Sequence, residues 1–114
     1  DGSVDMPGLS YTFTATTTTK VLVQVNIPAN ATSCAFCGNS LIGFDMILNG
    51  GLVARFLMDL SNGMRNLMHG AQVFTVGAGV HTIKVSVDGT GPNVIFGRAN
   101  TLFPSNMIVQ LFPQ

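Results

Sequence analysis

The stretch Leu41–Leu60, LIGFDMILNGGLVARFLMDL, decides the fold. Its centre, Asn49-Gly50-Gly51, is the strongest hairpin signal in the chain, because a tight two-residue turn needs positive φ at both central residues. The runs on either side, 41–48 and 52–60, are apolar on both faces. One face fills a core. The other needs a second cover, which a neighbouring subunit can supply.

The same texture of short strands between turns continues in both directions. LSYTFTAT (9–16) sets Leu9, Tyr11, Phe13 and Ala15 against polar partners. TKVLVQVNI (19–27) puts Val21, Val23, Val25 and Ile27 on one face, with Leu22, Gln24 and Asn26 on the other. Pro28 is expected to end that strand, since proline cannot donate to a ladder. LMHGAQVFTV (67–76), VHTIKVSVD (80–88), VIFGRA (94–99) and NMIVQLF (106–112) complete the series. Apolar residues recur at every second position, and no amphipathic helix emerges. The expectation is an all-β fold, an antiparallel β-sandwich or jelly roll of about eight strands. A length of 114 residues suits one domain, 9–114, preceded by a linker over 1–8 that leads in from an upstream stalk.

Composition narrows the partners. Only 9% of the residues are charged, against about 25% in ordinary soluble domains. There is no Glu, and five Asp balance five Lys and Arg. Nucleic-acid binding rests on clustered cations, so none is expected. Mean hydropathy is high at +0.44, yet no apolar run approaches the ~18–20 residues of a membrane span. A domain with this much apolar surface and this little charge is expected to hide part of it in a symmetric oligomer.

VGAGVHTIKVSV (76–87), VIFGRA (94–99) and the closing NMIVQLF (106–112) resemble trimeric jelly rolls of the tumour-necrosis-factor and complement-head type. They are more similar to the tip domains of phage tail fibres and bacterial surface fibres. The resemblance implies a homotrimer on an N-terminal stalk, outside the cell, with a recognition role. The chain departs from the animal proteins in lacking a collagen-like stalk and a calcium-type acidic cluster.

Candidate chemistry is sparse. His69 and His81 have no acidic partner nearby in sequence and read as structural histidines. No nucleophile elbow, H-E-x-x-H motif or phosphate loop is present, and five scattered Asp do not make a glycosidase pair. The domain is therefore expected not to be an enzyme and to use no cofactor. Cys34 and Cys37 form a lone C-x-x-C. Structural zinc needs four ligands, so no metal is expected, and a redox role would need a helix N-terminus in a βαβ setting. Two readings remain, a local disulfide and a pair of free thiols. The ends of a four-residue turn lie within about 7 Å, inside much of the disulfide range of about 4.4–6.8 Å, so the disulfide is the expectation.

Recognition is assigned to a loop. If the strands run simply up and down, the first, third, fifth and seventh connections share the end far from the N-terminus. The seventh, GRANTLFPSN (97–106), is the long one and would dominate that tip. It offers Arg98, Asn100, Thr101, Phe103 and Asn106, hydrogen-bonding groups beside an aromatic, a mixture suited to sugars. With one strand missed, the parity inverts and 61–66, with Asn62, Arg65 and Asn66, becomes a tip loop too. The expected function is a trimeric fibre-tip adhesion domain for a cell-surface glycan or protein. A purely structural assembly module and a polysaccharide-degrading enzyme are the alternatives. The enzyme would bring His69 or His81 to Asp45, Asp59 or Asp88 of a neighbouring subunit.

Overall fold

The hairpin around Asn49 is built as its sequence requires. A computed structural model of the chain describes residues 4–31, 40–60, 65–89, 94–96 and 105–114. In it, strands β3 (Ser40–Leu48) and β4 (Gly51–Leu60) are joined by Asn49 and Gly50 at φ 51° and 85°. Two successive positive φ values match the right-handed twist of the strands. Leu48 pairs with Gly51 and Ile47 with Leu52, but Met46 then pairs with Ala54, leaving Val53 as an extra residue. This bulge resets every later pair. It places Phe56 opposite Phe44 and Arg55 opposite Asp45. Because successive side chains point to opposite faces, a slip of one residue would exchange them. The Phe44 and Phe56 rings stack at 4.8 Å on the inner face.

The remaining strands are β1 (Val4–Ala15), β2 (Thr19–Ala31), β5 (Arg65–Val76), β6 (Gly79–Gly89), β7 (Val94–Phe96) and β8 (Asn106–Pro113). They form two antiparallel sheets. The first has the order β1-β6-β3-β4, and in the second β5 lies on one edge of β2 with β7 and β8 on the other. All connections except β3–β4 and β7–β8 cross between the sheets. The architecture is thus an all-β antiparallel sandwich, compatible with a jelly roll. Among the described residues no helix is long and apolar enough to cross a membrane.

The core lies between the sheets. Val21, Val23, Val25 and Ile27 of β2 are fully buried, facing Ile42, Phe44, Met46, Ile83 and Val85 of the other sheet. Each such side chain contributes about 1.5–3 kcal/mol of burial. Gly70 of β5 leaves room for the stacked pair: a Cβ there would lie 2.7 Å from Phe44 and 2.8 Å from Phe56.

Two strands outrun their expected limits. The chain is in the sheet from Val4, paired with Val87, within the stretch read as linker. Between Asp5 and Ser10 the register shifts, so Pro7 and Gly8 occupy an irregularity in an edge strand, where proline is tolerated. β2 likewise runs through Pro28 to Ala31, correcting the expected stop. Pro28 pairs with Leu67 on β5, while on the other edge β8 stops opposite Asn26 and β7 starts opposite Ala29. Among the described residues, Ile27 and Pro28 have no partner on that second edge. A strand tolerates a missing N–H where its ladder is interrupted.

One end of the sandwich gathers the β1–β2, β3–β4 and β5–β6 turns. Asn49 fastens them. Its N–H donates to Thr82 O and its Oδ1 accepts from Thr82 N–H, both at 2.8 Å. Its Nδ2 donates to His81 Nδ1 at 2.9 Å, and His81 Nε2–H donates to Gly77 O at 2.8 Å. Both ring nitrogens of His81 are thereby engaged, and its role is structural. The C-terminus joins the same end, Gln114 N–H donating to Thr18 O at 2.9 Å.

Candidate functional site: a polar row on the outer face of the β5-β2-β8 sheet

Three polar residues on three adjacent strands face outward side by side. Asn26 of β2 pairs with His69 of β5 on one edge and with Asn106 of β8 on the other. His69 Nδ1–H donates to Asn26 Oδ1 at 2.7 Å, and Asn26 Nδ2–H donates to Asn106 Oδ1 at 3.0 Å. The direction of these bonds fixes chemistry. Asn26 Oδ1 can only accept, so it holds the proton on His69 Nδ1. His69 Nε2 and Asn106 Nδ2 take no part in the row. The row therefore carries an imidazole nitrogen at one end and a carboxamide donor at the other.

Its neighbours are apolar. Leu67, Val73 and Ile108 lie on the same face and are about half exposed. Leu22, Gln24 and Pro28 of β2 alternate with the buried valines and are partly exposed. A flat surface mixing amides, an imidazole and aliphatic groups is suited to ligands with hydroxyls on one side and C–H groups on the other.

Of the expected binding residues, Asn106 belongs to this row as the first residue of β8. Arg98, Asn100, Thr101 and Phe103 lie outside the described residues, as do Cys34 and Cys37. The strands on either side of residues 97–104 are described. β7 and β8 are both antiparallel to β2 on the same edge, so they run in the same direction, end to end. Phe96 pairs with Ala29, and Asn106 with Asn26, only three positions further along. Phe96 and Asn106, the described residues on either side of the seventh connection, therefore both lie on the side edge of the sheet and not at the end that holds the first, third and fifth turns. Up-and-down parity fails here because one edge position of the sheet is filled by two collinear strands.

Beside the row, the sandwich is open. A cleft of about 270 Å³ separates β4 from β5, with Phe44, Phe56 and Met58 on one side and Leu67, Met68 and His69 on the other. Leu57 stands at its rim. A second opening, between β1 and β8, is lined by Ser10, Tyr11, Met107 and Val109. His69 thus belongs to both the row and the first cleft.

Among the described residues, Asp45, His69 and His81 lie in three separate settings. Asp45 faces outward from the other sheet, held by Arg55 through Nε–H to Oδ1 at 2.8 Å and Nη2–H to Oδ2 at 3.1 Å. His81 is engaged at the turn end, and His69 in the row. Among the described residues no three His, Cys, Asp or Glu side chains cluster as metal ligands would.

Asn26 stands on the polar face of its strand with no role legible in its own neighbourhood, and His69 reads as structural until Asn26 and Asn106 are seen beside it. The alternation in β2 signals that Asn26 faces outward. Nothing local signals that His69 and Asn106 flank it. No protein-family model matches the chain, and no curated protein matches it.

Proposed function

We propose that this domain is a recognition module, a homotrimeric fibre-tip adhesion domain that binds a cell-surface glycan or protein outside the cell. The observation that carries the reading is the hydrogen-bonded row His69–Asn26–Asn106 on a solvent-facing sheet, flanked by Leu67 and Ile108. A row braced within the protein presents its outer groups in one arrangement, so a ligand's hydroxyls or amides meet preorganised partners and less entropy is lost on binding. Arg98, Asn100, Thr101 and Phe103 lie outside the described residues, and they remain part of the recognition reading on their chemistry alone, hydrogen-bonding groups beside an aromatic. Self-association uses the opposite sheet, where Leu41, Leu52 and Leu57 are 46%, 56% and 61% exposed.

A glycan and cell-binding screen of the wild-type protein, repeated with Asn26→Ala, tests the proposal. Asn26 is the positioning residue, so its loss frees His69 and Asn106 together. Binding is expected to weaken at least ten-fold while the melting temperature changes little. His69→Gln, which keeps a hydrogen-bonding group, is expected to retain part of the binding. A real ligand bound equally by wild type and Asn26→Ala would place recognition elsewhere.

A further inference from the structure

The polar row and the β4/β5 cleft share His69, and this continuity says what kind of ligand the site takes. We infer that the domain binds amphipathic glycosides, whose sugar lies along the His69–Asn26–Asn106 row and whose uncharged aliphatic or aryl substituent enters the cleft between β4 and β5. The inference rests on the recognition reading above and narrows its ligand class.

The cleft is shaped for such a substituent. Its volume of about 270 Å³ holds about nine non-hydrogen atoms at the ~30 Å³ each occupies at liquid density. No charged side chain lines it, so a charged substituent would lose its hydration without a partner. Met58 and Met68 face it from opposite sheets; their flexible, polarisable side chains adapt to aliphatic and aryl groups alike. The stacked Phe44–Phe56 pair forms a firm wall. At the boundary stands His69, its ring held toward the row by the 2.7 Å bond to Asn26. A ligand that spans this boundary needs a polar and an apolar part joined directly, and a glycoside bearing a short chain or ring has that form.

The test uses the full chain with methyl-labelled methionines and labelled side-chain amides. Glucose, galactose and mannose are titrated beside their n-octyl glycosides, each below micelle formation. For at least one sugar, the parent is expected to shift the Asn26 and Asn106 amide signals alone. Its octyl glycoside should shift those amides together with the Met58 and Met68 methyls, and bind at least ten-fold more tightly. Phe56→Trp and Met58→Trp, at two cleft-lining positions of β4 away from the polar row, should each abolish that gain and leave the parent sugar's shifts intact. Octyl glycosides that leave both methionine methyls unmoved, or a gain that survives both tryptophans, would overturn the inference while leaving the recognition reading in place. Methyl shifts with no amide shift from any sugar or glycoside would overturn both.

Discussion

Asp45 points out of the sandwich and is still only 8% exposed. A carboxylate removed from water needs its charge answered, and Arg55 does so with two parallel bonds from the neighbouring strand. The partners are unequal: the Arg55 side chain is 56% exposed and that of Asp45 11%. Arg55 left alone regains water, whereas Asp45 left alone is a buried charge without a counterion. Arg55→Met is therefore expected to cost about 3 kcal/mol, and Asp45→Asn about 1 kcal/mol. Urea denaturation of both variants checks the order, and equal losses would show that exposure does not govern the pair. The sequence contains both residues, but a plain two-residue hairpin would set Asp45 opposite Ala54. Only the bulge at Val53 brings Arg55 across from it.

At the scale of elements, the β3–β4 hairpin shows how much local chemistry carries. Asn49-Gly50 encodes its turn, and the turn adopts the φ values that the pair favours. Gly43 is a less legible requirement. A Cβ on it would collide with the Phe56 carbonyl oxygen and come within 2.6 Å of Leu57 Cδ2. Backbone cannot yield as a side-chain tip can, so Gly43→Ala is expected to pry β4 from β3 at a cost of about 3 kcal/mol. Gly50→Ala meets no atom within 4 Å but keeps a φ of +85°, and about 1 kcal/mol is expected. Thermal melts of the two variants separate the mechanisms; a Gly50→Ala loss as large as that of Gly43→Ala would count against the close-approach account. Pro28 teaches the converse. Its missing donor argues for a strand end, yet the strand continues, with no partner for Pro28 among the described residues between β8 and β7.

For the whole molecule, clefts open between the two sheets on both sides, between β4 and β5 and between β1 and β8. The sandwich extends 54 × 26 × 17 Å. A thickness of 17 Å accommodates two sheets about 10 Å apart and no third layer, which leaves the outward leucines of β3 and β4 uncovered by their own chain. Light scattering at micromolar concentration is expected to give a mass near three times the 12.0 kDa chain, and Leu57→Asp, at 61% exposure, is expected to lower it. A stable wild-type monomer would remove the trimer. The sequence by itself determined the all-β class, the approximate positions of the strands, the inward face of β2 and the Asn49 hairpin. Each of these follows from spacing within about ten residues, where alternation and turn chemistry act directly. Only the tertiary structure decided which strands are neighbours and in what register. It placed β7 and β8 end to end on one edge of β2. It also aligned His69, Asn26 and Asn106, whose bonds join residues 43 and 80 positions apart. Such pairs form because the hydrophobic faces must close over a common core, and alternation within one strand cannot record which partner that closure brings alongside.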